Sequence, residues 1–232
     1  MCKSGEIRIQ NVLAKIRRGE SVTIATLGGS ITTGYCSNPI GEKSWAAQTK
    51  NWFENIAKKS GAKINFLNEG VSGTDSAFAV ARVQDHIIKN KADLVVLEFS
   101  VNDLWLEAAI RNKTYEGVIR QIMNNSETAI LALFINIKCD DSGVELPSQQ
   151  KEQQPICDYY QIPFVSWKDE VLAVGSAADF EAFYDAPETV HPNNAGHASI
   201  AGFICKKLQG YWDELPADKE IPAPNHTLPA PK

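Results

Sequence analysis

Val22-Thr23-Ile24-Ala25-Thr26-Leu27 runs directly into Gly28-Gly29-Ser30-Ile31-Thr32. The first six residues form a β-rich apolar run suited to a central strand covered on both faces. Gly28 and Gly29 then permit a tight turn that sets Ser30 and its backbone N–H at the strand end. Working outward, further strand-like runs lie at 64–68, 93–99, 128–137 and 164–166. Between them fall segments of helical character at 7–18, 45–59, 76–90, 106–125, 148–160 and 193–211. In the first of these, Ile9, Val12, Leu13 and Ile16 recur at helical spacing. Ser44 is placed to cap the segment at 45–59. Alternation of strand and helix predicts an α/β fold: five parallel strands sandwiched between helices. Sites in such sheets gather at the carboxyl ends of the strands.

At 232 residues the chain is long enough for a large core. We expect one domain over 1–214 and a proline-rich tail over 215–232. A net charge of −5 gives nucleic-acid binding no electrostatic support. No apolar run approaches the roughly 18 residues of a membrane span. The five cysteines (Cys2, Cys36, Cys139, Cys157 and Cys205) are scattered and odd in number. That pattern predicts reduced thiols and a cytoplasmic location rather than a disulfide framework. Oligomeric state is not legible.

Four loops carry residues with chemistry. A serine after a strand is usually only a turn residue, yet Ser30 becomes a nucleophile if a base removes its proton. His191, in Glu188-Thr189-Val190-His191-Pro192, suits that base, with a carboxylate three residues earlier to hold it. Asp185 is the competing acid. His197 lies inside the closing helix and is expected to pack or cap, while His86 and His226 are expected at the surface. Asn102, in Ser100-Val101-Asn102-Asp103, can aim its amide at a developing oxyanion, and Gly70-Val71-Ser72-Gly73 can present backbone N–H groups to an anion. Neither CxxC nor HExxH occurs, so no metal is expected. G-x-x-x-x-G-K-[ST] and G-x-G-x-x-G are also missing, which argues against a phosphate-binding loop.

Taken in order, Gly28-Gly29-Ser30-Ile31-Thr32, Gly70-Val71-Ser72-Gly73, Val101-Asn102-Asp103 and His191-Pro192-Asn193 resemble the motif blocks of the SGNH (GDSL-like) hydrolase family, in a GGSIT-type variant. The resemblance covers about residues 20–210. It implies a flavodoxin-like three-layer α/β/α sandwich and serine esterase chemistry with no metal or organic cofactor. It further implies Ser30 as nucleophile, His191 as base, and an oxyanion hole from the N–H of Ser30, the N–H of Gly73 and the amide of Asn102. Three positions depart from the family pattern: Gly29 where an aspartate is usual, Ser100 where a glycine is usual, and Glu188 where the acid is usually aspartate.

The same resemblance suggests removal of small acyl groups, above all acetyl from O-acetylated carbohydrates. The expected partner is thus a small acyl ester or an acetylated sugar. Trp45, Phe78 and Trp105 lie just beyond the candidate loops and can stack on a sugar or line an acyl pocket; for Trp45, plain core packing is an equal reading. The short interval from Ser30 to Trp45 leaves little room for a lid, which disfavours bulky triacylglycerols. The alternatives are a lysophospholipase or acyl-thioesterase of the same family, or a catalytically silent carbohydrate-binding relative.

Overall fold

The computed structural model describes residues 4–125, 127–138, 149–216 and 228–232. Helix α1 (Ser4–Arg17) leads into strand β1 (Val22–Gly28), which ends at the glycine pair. The short helices α2 (Ser30–Thr33) and α3 (Ile40–Lys43) follow, then α4 (Trp45–Ala57). Ser44 caps α4, its hydroxyl accepting from the Ala47 N–H at 3.2 Å. Next come β2 (Ile64–Gly70) and α5 (Ser76–Val83), which Asp75 caps by accepting from the Phe78 N–H. The helix expected at 76–90 splits here: α5 gives way to a π-helical turn at Gln84–Ile88.

Strand β3 (Leu94–Glu98) is followed by a 3₁₀ turn at Asn102–Trp105 and by α6 (Ala108–Asn125). Then come β4 (Ala129–Phe134), α7 (Gln150–Tyr159), β5 (Phe164–Ser166), α8 (Trp167–Val174), α9 (Ala177–Glu181) and α10 (Asn194–Asp213). Ser148, the expected start of the helix before β5, lies outside the described residues. Helices α8 and α9 were not expected. Trp167 and Phe180 anchor them, their rings meeting at 4.9 Å in the core.

All strand pairs are parallel, in the order β2-β1-β3-β4-β5. Side chains alternate between two cores with the period of two that a pleated strand imposes. On β3, Leu94 and Val96 face the core shared with α1, α4 and α10, while Val95 and Leu97 face the core shared with α5, α6 and α7. On β4, Leu131 and Leu133 turn one way, Ala132 and Phe134 the other. Burying one such Leu, Ile or Phe contributes about 1.5–3 kcal/mol. The sheet therefore has helices on both faces, the α/β sandwich expected from the alternation of strand and helix. Residues 228–232 return to the α6 and α7 layer. There Arg120 donates to the Pro229 carbonyl and Tyr159 to that of Ala230, while Leu228 packs on the core.

Strand β1 lies between β2 and β3, so the connections leaving β1 and β3 diverge to opposite sides. That is the switch point where open α/β sheets form a crevice beyond the strand ends. Ser30 follows β1 there, and Asn102 follows β3.

Candidate active site

Gly29 precedes α2 and lets two strand ends approach. A Cβ added at Gly29 would lie 2.7 Å from Nδ2 of Asn102. No side chain fits at position 29 unless that amide moves, which accounts locally for glycine where the related motif carries an acid. Asn102 is fixed from the other side, Nδ2 donating to the Thr74 carbonyl at 2.7 Å. One amide hydrogen is used in that bond, leaving the second. Gly73 adopts φ +73°, a left-handed conformation suited to glycine, and a Cβ there would face open space. Its loop is tied back to β1 by the Val71 N–H, which donates to the Gly28 carbonyl at 3.0 Å.

Buried side chains beneath these loops hold them in place. The Arg82 guanidinium donates to the carbonyls of Glu69 (2.8 Å) and Gly28 (3.2 Å), strapping the ends of β2 and β1 together. Asp103 accepts from the Ser76 N–H and from Gln153, both at 2.8 Å. Burial pushes its carboxyl up to about 7, outweighing these donors. Ser100 exchanges two hydrogen bonds with the backbone of Ile135, linking the loop after β3 to that after β4. Glu98 is also buried, with the Thr32 hydroxyl donating to it at 3.3 Å, and burial raises its carboxyl to about 7. Of these supports, Asp103 is legible in sequence as a brace for the loop after β3; Arg82 and Glu98 are not. Arg82 is a charge on an otherwise apolar helix stripe with Ala79 and Val83, and that is its one signal.

The histidine loop is built from its own backbone. Asn193 caps α10, accepting from the Gly196 N–H at 3.0 Å, and its Nδ2 donates to Asp185 at 2.8 Å. Asp185 is thereby committed to the loop. Oε1 of Glu188 accepts from the N–H groups of Thr189, Val190 and His191 at 3.0, 2.7 and 3.1 Å. Partial burial acts to raise the Glu188 carboxyl. The Val190 and His191 amides and the His191 ring outweigh it and hold the carboxyl below its usual range.

From this loop His191 projects its ring so that Nε2 stands 2.8 Å from Oγ of Ser30. Nδ1 lies 3.2 Å from Oε2 of Glu188. The separation suits an ion pair, but the N–H direction falls short of a good hydrogen bond. Contacts of this kind tighten when substrate binds. An imidazole protonated at Nδ1 presents its Nε2 lone pair to the hydroxyl, the arrangement a serine nucleophile needs. His197 is wholly buried and structural: Nδ1 accepts from the Trp45 N–H, and Nε2 donates to the Tyr35 carbonyl at 3.0 Å. Burial lowers its pKa and keeps it neutral. His86 pairs with Glu69 through Nδ1, and His226 lies outside the described residues.

The structure thus brings together Ser30, His191 and Glu188, and separately Gly29 and Asn102. It does not bring Trp45 to the rim. Trp45 is 0% exposed because Trp45, Thr49, Phe53 and Ala57 form the inward stripe of α4, so it is core and not a substrate contact. Phe78 and Trp105 are exposed, Trp105 at 65%. Two neighbours of the histidine were missed. The Tyr35 ring lies 4.5 Å from the imidazole, centroid to centroid. Cys36 brings a thiol close enough that single ligand atoms of Cys36, Glu188 and His191 all lie within 4.8 Å of one another. A cavity of about 200 Å³, lined by Arg8, Lys15, Asp93 and Thr128, opens at the opposite, amino-terminal end of the strands.

Parallel sheet order, a serine at the switch point and an imidazole between that serine and a carboxylate define a hydrolase of the SGNH type. Residues 26–199 match the model of the GDSL-like Lipase/Acylhydrolase family, and the chain belongs to that family of esterases and acylhydrolases. It is 23% identical over 220 residues to an acetylxylan esterase of Geobacillus stearothermophilus, covering 85% of this chain and 98% of that protein. A two-domain esterase active on acetylated mannans superposes with a TM-score of 0.78 at 30% identity, over 97% of this chain and 57% of that one. The chain therefore spans little more than half of that esterase. The Geobacillus acetylxylan esterase Axe2 has the same fold, with a TM-score of 0.65 at 18% identity, over 84% of this chain and 97% of that one. No described helix is long and apolar enough to cross a membrane.

Proposed function

We propose that this chain is a serine esterase that removes acetyl groups from O-acetylated carbohydrates, and that it belongs to the GGSIT-type subgroup of its family. The observation that carries the reading is the 2.8 Å contact between Ser30 Oγ and His191 Nε2, with Glu188 behind the ring. Ser30 attacks the ester carbonyl as His191 takes its proton. The N–H groups of Ser30 and Gly73 and the free amide hydrogen of Asn102 receive the developing oxyanion. His191 then returns the proton to the departing sugar hydroxyl, and water releases acetate from the acyl-enzyme by the same steps.

The acetyl-sugar assignment draws on what the relatives are named for and on the exposed rings of Tyr35, Phe78 and Trp105, which follow the ends of β1, β2 and β3 in the chain. The test is a donor panel comparing acetylated xylo- and manno-oligosaccharides with p-nitrophenyl esters of increasing chain length. Acetyl donors should lead, and Ser30→Ala and His191→Ala should each lower the rate by at least about 10³-fold. Preference for acyl groups of eight or more carbons would replace this reading with a lysophospholipase or thioesterase. Failure of a fluorophosphonate probe to label Ser30 would leave only a carbohydrate-binding role.

A further inference from the structure

We propose that Cys36, Glu188 and His191 bind a thiophilic divalent cation of the Zn²⁺ or Cd²⁺ type, and that the bound cation switches the esterase off. One ligand atom from each residue lies within 4.8 Å of the other two, and the Glu188–His191 pair is already at 3.2 Å. In a tetrahedral Zn²⁺ site the N, O and S ligand atoms stand about 3.3–3.6 Å apart, so only the thiol has to swing inward. Thiolate, imidazole and carboxylate on three corners, with water on the fourth, is a donor set that favours zinc-like ions over Mg²⁺ or Ca²⁺.

Two further observations point to a ligand here. Nδ1 of His191 is shielded from solvent, yet no group hydrogen-bonds to it in good geometry. Cys36, by contrast, is exposed and free, so an ion can enter from its side. The backbone that leads into the thiol is held in place. The preceding residue, Tyr35, packs its ring on the imidazole, and its carbonyl is held by buried His197.

Coordination at Nδ1 has a defined effect. The Cys36 thiol gives its proton to solvent, and the imidazole proton moves from Nδ1 to Nε2. No electron changes hands. Nε2 then faces Ser30 as a donor and cannot accept the hydroxyl proton. The inhibitory half of the proposal rests on the reading of His191 as base; the binding half does not.

The test uses the full chain freed of metal by a chelator. Cd²⁺ is titrated while the ultraviolet thiolate-to-cadmium charge-transfer band is followed, and Zn²⁺ while acetyl-ester hydrolysis is followed. The band should appear in wild type and in Ser30→Ala, which separates binding from turnover. Zn²⁺ should lower the wild-type rate at least about tenfold, reversed by EDTA. Losing even an outer-shell partner of a metal site costs about 10–100-fold in affinity, so losing the direct ligand in Cys36→Ala and Cys36→Ser should shift the inhibition midpoint by at least about tenfold and lose the band. Each variant is compared with its own metal-free rate, after circular dichroism shows it folded. A band unchanged in both cysteine variants overturns the site. Zn²⁺ inhibition that is equal in wild type and in the cysteine variants, or that fails at millimolar metal, overturns the switch.

Discussion

Oε2 of Glu188 stands 3.2 Å from Nδ1 of His191, while Oε1 of the same carboxylate accepts three backbone N–H groups of its own turn. One side chain therefore shapes the loop and sets a carboxylate oxygen against the ring. The extra methylene of glutamate is used up in folding back over residues 189–191. Asp185, the other candidate acid, is occupied by Asn193.

Glu188→Gln should lower kcat by about 10²–10⁴-fold, since an amide neither stabilises the imidazolium nor fixes the tautomer. Glu188→Asp should fall between, because the shorter chain cannot reach ring and backbone together. Asp185→Asn should lose less than about tenfold. Steady-state kinetics on a small acetyl ester check all three; a larger loss in Asp185→Asn than in Glu188→Gln would reverse the assignment of the acid.

Gly29→Ala tests the oxyanion donor without touching it. The new methyl lands on the Asn102 amide, which must give way. Removing one such donor costs about 2.7–4 kcal/mol of barrier, so kcat should drop about 10²–10³-fold with KM little changed. Asn102→Ala should match it, and the double variant should add little. Full activity in Gly29→Ala would remove Asn102 from the oxyanion hole.

The buried Glu98 makes stability depend on pH. Burial raises its carboxyl from 4.5 in the unfolded chain to about 7 in the fold. The folded state holds the extra proton between these values, so the stabilisation is complete below about pH 4.5 and is lost as pH rises through about 7. Denaturant titrations at about pH 5 and about pH 8 should show Glu98→Gln losing less stability over that interval than wild type, by on the order of 1–3 kcal/mol. Parallel declines would mean that Glu98 is already paired in a way that keeps it ionised.

Trp105→Ala should raise KM for an acetylated oligosaccharide about two- to twelvefold, equivalent to 0.5–1.5 kcal/mol of ring contact. It should leave p-nitrophenyl acetate unaffected. Equal effects on both substrates would make Trp105 a prop for the Asn102 turn rather than a sugar platform.

The sheet was legible because β1, β3 and β4 are nearly continuous apolar runs, as parallel strands covered on both faces must be. Helices α8 and α9 were not, because both are short and draw their order from Trp167, Phe180 and Tyr184 meeting in the core. Ser30 and His191 were readable because each sits in a short motif at a strand end or helix start. Cys36 and Tyr35 were not. Both are brought to the histidine by a turn in which Cys36 takes φ +65° and by a contact from His197, 162 positions away from Tyr35. Trp45 was drawn toward the site by its place in sequence, while the spacing of Thr49, Phe53 and Ala57 already marked its face as the inner one.

The docking of residues 228–232 on α6 and α7 has a practical outcome. A purification handle or fused module joined after Lys232 emerges beside the Pro229 and Ala230 carbonyls, on the layer that does not carry α10. Engineered fusions that need an unobstructed rim are better attached here.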